Sequence, residues 1–418
     1  MKNNLLFTAL TSVLMCSCSS TSCEQATQRP ISDKAFPYEI PAEKPAYALS
    51  SSMEAVYDRY GAPTPQSNEL YSQFKFSPIT GFDYSDGDGC NSRRDPSRVV
   101  KVGDTYYVWY TLRQTESAPA GAKGCTETIP STDWDLATIG YATSKDGFNW
   151  DEKGVAVPRP TKPQQGYRSI STPEILVWKG KYYLYYQAFN QASGTTGGDN
   201  CPVAMAEADS PDGPWTHIDK VVLPTGDEGA WDQFNIHDPL PVVMNGKIYM
   251  YYKSDYNKGS FQTRSQGVAI GDSPYGPFVK SPLNPVISSG HETQYFRFKE
   301  GVAAIVTRDG HEHYTVQYAS DGINFHQASI CDLMPEASGL YDPDAFTNTK
   351  DGRGITWGIC HINKYSKGST HSLMFRFDCD LSQDLNDPEM KINHVRPVYE
   401  DYMKHGLSKK QKARIMNK

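Results

Sequence analysis

The 418-residue sequence predicts an all-β fold of repeated four-stranded sheets, and three observations carry that prediction. The composition is 12% aromatic with 33 Gly and 28 Pro, which favours short strands and many turns over long helices. Aromatic strand runs recur after a Gly-containing turn: VGDTYYVWYT (102–111), KGKYYLYYQ (179–187) and NGKIYMYYK (245–253), with weaker counterparts KEGVAAIVT (299–307) and DGRGITWGICH (351–361). After the first four runs comes a strand ending in a related turn, as in GYATSKDGFNW, AMAEADSPDGPW, AIGDSPYGPF and QYASDGINF. Each unit thus reads strand, Gly turn, aromatic strand, strand, Asp-Gly or Pro-Gly turn, strand. Both faces of the runs are apolar, as in sheets stacked on sheets, and recurrence at roughly 50 to 75 residues matches propeller blades. The predicted architecture is a five-bladed β-propeller over 64–400 with an N-terminal helical extension. A β-sandwich with coincidental Tyr-rich strands is the competing architecture.

From the N-terminus, residues 1–18 read as a lipoprotein-type signal peptide, with Lys2 as the positive start and an apolar stretch from Leu5 to Met15. Cys18, after the small Ser17, is the expected lipidation site. Met15 departs from the usual apolar residue of the lipidation box, and a plain signal peptide cut nearby is the alternative. An exported protein is expected, in a bacterial periplasm or on an outer membrane, touching the membrane through its lipid anchor alone. Residues 19–50 read as a flexible tether. Residues 51–63 form the helical segment, with Ser51 or Ser52 as cap and Met53, Val56, Tyr57 and Tyr60 on one face. That face needs cover from the chain's own propeller or a neighbour's, so a homodimer through this segment is an expectation. Residues 401–418 are a basic C-terminal tail.

Composition excludes several classes. A net charge of −7 offers no basic face for nucleic acid, and no apolar run approaches the roughly 18 residues of a spanning helix. Six cysteines lie in the body (Cys90, Cys125, Cys201, Cys331, Cys360 and Cys379) with no C-x-x-C pattern. Free buried thiols are the default reading.

The chemistry-bearing pattern lies just before the first strand of each unit: Asp95 in RRDPSRVV, Glu174 in STPEILVW, Asp238 in NIHDPLPVV, His291 and Glu292 in SGHETQYF, and Asp342 and Asp344 in LYDPDAF. First strands line a propeller's axis, so these positions should converge on one mouth as an acidic pocket. Clustered carboxylates suit glycoside hydrolysis, in which one activates water, another group protonates the leaving oxygen, and like charges raise the pKa of the acid. Asp-Pro and Asp-Gly are also ordinary turn formers; recurrence at one register is what gives the pattern weight. Asp146, Asp212 and Asp321, in the Asp-Gly turns, read as structural, and His311 and His313 as surface residues.

At RRDPSRVV, NIHDP and SGHE together the chain resembles glycoside hydrolase family 117, the exo-acting α-1,3-(3,6-anhydro)-L-galactosidases acting on neoagaro-oligosaccharides. YYVWY, YATSKDGFNW, ADSPDGPW, YMYYK, GVAIGDSPYGPF, DGINF and WGICH extend the resemblance in order from about Arg93 to His361. It implies a five-bladed propeller and an inverting mechanism, with Asp95 as general base, Asp238 as positioning and pKa-tuning residue, His291 as general acid and Glu292 beside it. Nearby carboxylates would raise the His291 pKa; the alternative makes Glu292 the acid, oriented by His291. Arg94, Glu174, His237 and His361 are the expected substrate-binding residues, with ion-pair and backbone-bonded roles as alternatives for Arg94 and His361. The family is also associated with a divalent cation, for which the sequence shows no ligand set. SMEAVYDR departs from the family's swapped-helix motif, and the loops GCNSRRD, GAKGCTETIPSTDWD and GTTGGDNCP depart from its agar-active pattern. The expected partner is an oligosaccharide substrate. Another sugar (arabinan, xylan or carrageenan type) and a non-catalytic cell-surface glycan-binding propeller are the alternative functions.

Overall fold

The computed structural model describes residues 41–58, 69–84, 87–195, 200–255, 264–346, 350–362 and 372–383. The signal peptide, most of the tether, the end of the helical segment and the basic tail lie outside the described residues.

The strands fall into five antiparallel groups of four positions each. Blade I comprises Asn91–Arg94 with Val100–Val102, then Thr105–Gln114, Thr138–Ser144 and Trp150–Val157. Blade II comprises Ser169–Trp178, Lys181–Phe189, Val203–Ala208 and Thr216–Leu223, and blade III His237–Met244, Lys247–Ser254, Ser265–Gly271 and Val279–Lys280. Blade IV runs through Gln294–Lys299, Gly301–Val306, Thr315–Ala319 and His326–Ile330. Blade V is assembled from both ends of the domain: Gly339–Leu340, Gly352–Ile362 and Leu373–Ser382 are joined by the early strand Lys75–Pro78, paired antiparallel to Leu373–Ser382. This ring closure was not anticipated in the sequence, where 75–78 carries no repeat signature.

Alternation explains the Tyr-rich runs. In Thr105–Gln114, Tyr107 and Trp109 pack toward blade II, whereas Tyr106, Val108, Tyr110 and Leu112 pack toward blade V. In Lys181–Phe189, Tyr182, Leu184 and Tyr186 face blade I, and Tyr183 and Tyr185 face blade III. Each of the five blade junctions has its own apolar cluster, including III against IV and IV against V. A fully buried aromatic such as Trp109 contributes roughly 1.5–3 kcal/mol by area, so the ring is held at every junction. No disulfide joins the six body cysteines among the described residues, and four of them are buried.

The helical extension is a single turn, Ser51–Glu54, shorter than the expected 51–63 within the residues described. Its cap is Ser50, whose hydroxyl accepts from the Met53 amide, rather than Ser51 or Ser52. The turn docks on the chain's own propeller: Met53 is buried, Ser50 Oγ donates to Pro285 O at 2.7 Å, and Ser51 reaches Asn324 Oδ1 at 3.3 Å.

Below the mouth the central channel is filled. Arg98 crosses it, meeting Glu174 Oε1 of blade II at 3.2 Å, Asp342 Oδ2 of blade V at 2.7 Å and Pro241 O of blade III at 2.8 Å. Cavities around this tie are no larger than about 30 Å³, room for a water or two. The Asp-Gly turns at the outer end are structural as expected: Asp146 Oδ1 accepts the Phe148 and Asn149 amides at 2.8 Å, and Asp321 Oδ1 those of Ile323 and Asn324. His311 and His313 are exposed.

Candidate active site

A cavity of about 1030 Å³ opens at one mouth of the channel. One backbone device builds it five times. Asp95, Thr172, Asp238, Glu292 and Ala337 all adopt positive φ, between 44° and 61°. A non-glycine residue pays roughly 1–3 kcal/mol for such a conformation, which persists only where surrounding contacts impose it. The ladder skips at this point in blades II and III, between Ser171 and Glu174 and between His237 and Leu240. The bulge turns the side chain of the strained residue toward the axis.

The residue just before it supplies a second ring: Arg94, His237, His291 and Glu336 all line the cavity. The end of each second strand supplies a third. Thr111 Oγ1 donates to Asp95 Oδ2 at 3.1 Å, Gln187 Nε2 to Asp238 Oδ1 at 2.8 Å, and Lys253 Nζ lies 2.8 Å from Asp238 Oδ2. Thr307 Oγ1 donates to the His291 carbonyl. His361 Nδ1 accepts the Asp95 amide at 3.0 Å.

Four expected residues fall elsewhere. Glu174 lies two positions beyond the strained residue of blade II and is buried in the channel against Arg98, below the cavity. The residue of its blade that matches Asp95 and Asp238 is Thr172, also followed by Pro. Asp342 and Asp344 likewise follow the inner strand of blade V and bind Arg98 and Arg353; Ala337 holds that blade's strained position. His361 is fully buried and supports the Asp95 backbone from behind the wall, its backbone-bonded alternative role. Asp95, Asp238, His291, Glu292, Arg94 and His237 do converge. The sequence reading missed Lys253, Gln187, Thr111 and Glu336, and also Trp134, whose ring lies under the Arg94 guanidinium at 4.9 Å.

The environments drive the acidic groups apart. Burial opposes ionisation of Asp95, but Arg94, whose Nε donates to Oδ2 at 2.9 Å, and His361 outweigh it and hold the carboxyl below its ordinary value. Burial is likewise outweighed at Asp238 by Lys253, leaving it at about 2. Glu292 moves the other way: burial, then the Asp95 charge, push it up to about 7 despite Arg94. Its Oε1 stands 3.7 Å from both Arg94 and His291 Nε2, beyond hydrogen-bond length. The raised His291 pKa expected from nearby carboxylates is not found. Burial, together with Lys253 and Arg264, lowers His291 to about 3, although Asp309, 3.4 Å from Nδ1, works against this. The proton available near neutrality therefore sits on Glu292.

Asp95, Glu292 and His361 are the group of three potential metal ligands found among the described residues, with donor atoms within 4.8 Å of one another. Two of the possible donors are engaged, His361 Nδ1 by the Asp95 amide and Asp95 Oδ2 by the Arg94 guanidinium, whereas the buried His361 Nε2 and Glu292 Oε2 have no hydrogen-bond partner and are the atoms that could hold a cation here.

Comparison with known proteins decides the family. Zg3597, a family 117 glycoside hydrolase produced by the marine bacterium Zobellia galactanivorans, is 55% identical, with 81% of this chain and 98% of that one covered and a TM-score of 0.73. The chain belongs to glycoside hydrolase family 117. It is a glycoside hydrolase on a propeller fold, and residues 90–263 also match the model of glycosyl hydrolases family 43. A more distant structure, described as a glycoside hydrolase, shares the fold: it is 13% identical over 75% of this chain and 92% of its own, with a TM-score of 0.54. In this family 117 chain, then, the hydrolytic chemistry has to be found among the groups lining the 1030 Å³ cavity.

Proposed function

We propose that the protein is an exo-acting, inverting glycoside hydrolase that releases terminal 3,6-anhydro-L-galactose from red-algal, neoagaro-type galactan oligosaccharides. The reading rests on the opposite ionisation of two facing carboxylates: Asp95 kept charged by Arg94, and Glu292 kept protonated to about pH 7. The filled channel gives the cavity a closed floor, and exo action is proposed from family membership. Family membership supports the sugar class.

Asp95 takes a proton from water as that water attacks the anomeric carbon. Asp95 and Glu292 approach within 4.8 Å, shorter than the roughly 6.5–9.5 Å that separates an inverting pair. Water and sugar therefore sit on the cavity side of the pair, and not on the line between the two carboxylates. Glu292 gives its proton to the leaving oxygen, and His291, with Nε2 3.7 Å from Oε1, positions the carboxyl from beside it. Asp95 then carries a proton and Glu292 a charge, and the short gap lets that proton return to Glu292 and reset the site. Asp238, locked by Lys253 and Gln187, supplies a fixed negative charge for the oxocarbenium-like transition state. Export and lipid anchoring at Cys18 belong to the same proposal.

The test incubates purified protein with neoagaro-, neoporphyra-, neocarra- and arabino-oligosaccharides. Released sugars are read by chromatography and the first-formed anomer by NMR. Anhydro-L-galactose of inverted configuration is the expected product. Another sugar overturns the substrate, a retained anomer overturns the proton path, and binding without release overturns both.

A further inference from the structure

The geometry points to Ser52, in the N-terminal turn, as a positioning residue for the His291–Glu292 loop. The inference rests on the proposed role of that loop in proton delivery, and it concerns what holds the loop.

The loop needs support. Glu292 has φ 61° and Gly290 φ 98°, and a Cβ on Gly290 would come within 2.1 Å of Thr293 Oγ1. Only glycine fits at 290, and Glu292 is held in a conformation that an unbraced segment would relax. The cavity side supplies little restraint on Glu292, whose nearest charged partners stand at 3.7 and 3.8 Å.

The brace lies behind the loop. Ser52, 2% exposed, accepts the buried Ser288 amide on Oγ at 3.2 Å and donates the same hydroxyl to Glu312 Oε2 at 2.9 Å. The Glu312 amide donates to Ser289 Oγ at 3.0 Å, and Gln317 Nε2 fixes Glu312 Oε2 at 3.1 Å. The Gly290 amide then bonds to Asp309 O at 2.9 Å, and the Asp309 carboxylate faces His291 Nδ1. Ser52 therefore lies at the base of a continuous bonded path through Ser288, Ser289 and Gly290 to His291. Its turn is pinned independently on both sides, by Ser50 on Pro285 and Ser51 on Asn324. No other residue of the chain meets both the Ser288 amide and Glu312 through one hydroxyl among the described residues, and an alanine there leaves a buried N–H without its acceptor.

Ser52→Ala is compared with Ser52→Thr, which keeps the hydroxyl, in the full chain. Ser52→Ala should lower kcat about ten- to a hundredfold with little change in KM, as small misplacement of a reacting group does, and move the alkaline limb of the pH profile. Ser52→Thr should restore both. Hydrogen exchange of a peptide spanning 286–294 should accelerate in Ser52→Ala and not in Ser52→Thr. This readout needs no turnover, so accelerated exchange in a protein that hydrolyses none of the sugars would uphold the brace and sink the proposed function alone. Wild-type exchange and an unchanged kcat in folded Ser52→Ala would overturn the inference. Should Ser52→Ala fail to fold, Glu312→Gln, which keeps the shape and weakens the same bond, is measured identically, and wild-type exchange there overturns it too.

Discussion

Glu292→Gln separates the electrostatics of the site from its shape. Glutamine matches the protonated acid in size and cannot ionise. In the folded protein Glu292 holds its proton to about pH 7, against an ordinary value of 4.5. Between those values the unfolded chain releases the proton and the folded chain keeps it, so rising pH favours unfolding. Across about two and a half pH units, at about 1.4 kcal/mol each, the wild type loses about 3 kcal/mol relative to the variant. The two should differ by a constant below pH 4.5, and the variant should gain steadily up to about pH 7 and stay ahead above it. Denaturant unfolding of both proteins at intervals from pH 4 to 9 measures this directly. In the same series kcat of the variant should fall about 10²–10⁴-fold, and the alkaline limb near pH 7 should vanish. A stability difference that does not change with pH would refute the raised pKa, and an alkaline limb surviving in the variant would refute Glu292 as the proton's source.

Asp95→Asn should abolish measurable turnover while leaving oligosaccharide binding by calorimetry, because the base is lost and the pocket shape is kept. Lys253→Met removes the cation that holds Asp238 at about 2. A depressed carboxylate contributes stability above its unfolded value near 3.8 that is lost as pH falls through about 2, so the variant should lose about 2 kcal/mol at pH 7 and little at pH 2, by urea unfolding. Arg98→Met leaves Glu174 and Asp342 buried without their shared cation and should cost about 3–5 kcal/mol, with kcat unchanged at temperatures where the variant stays folded. Trp134→Ala removes the ring beneath the Arg94 guanidinium and should lower kcat by loosening the cation that keeps Asp95 charged, read by steady-state kinetics.

The blade pattern was legible because it is repeated. Tyr-rich strands must be apolar on both faces to fill two junctions, and that requirement is written in each run. The site was legible where a carboxylate happened to occupy the strained position, as at Asp95, Asp238 and Glu292. It was misread where one stood close to it. In blade II, Thr172-Pro173 matches Asp95-Pro96 and Asp238-Pro239, so the proline marks the register, and the more conspicuous Glu174 lies past it. In blade V the Asp342-Pro343 pair repeats the same dipeptide on the wrong side of the inner strand, and the true position, Ala337, carries no chemistry to mark it. The third ring was in plain view: Thr111, Gln187, Lys253, Thr307 and His361 are the last residues of the five runs. Each closes its run with a polar side chain at the level of the site, although at Thr111 the strand continues and Leu112 returns to the blade V junction. The closing strand Lys75–Pro78 was illegible for the opposite reason, since an outer strand packed on one neighbour needs no aromatic signature.

Fivefold backbone repetition alone would make a symmetric acidic ring, and such a ring could not hold an acid and a base in different states. The chain breaks the symmetry with side chains. Blades I, III and IV place carboxylates on the strained positions; blades II and V place Thr172 and Ala337 there. Each carboxylate then receives a different neighbour: a guanidinium for Asp95, an ammonium for Asp238, and only contacts at 3.7 Å or beyond for Glu292. Among three acids crowded about one axis the least compensated keeps the proton, which is why Glu292 rises while its two neighbours fall. Moving a second cation toward Glu292 would therefore remove the acid without touching it. The arrangement makes the spacing of Arg94 and Arg308 from Glu292, 3.7 and 3.8 Å, as much a part of the chemistry as the carboxylate itself.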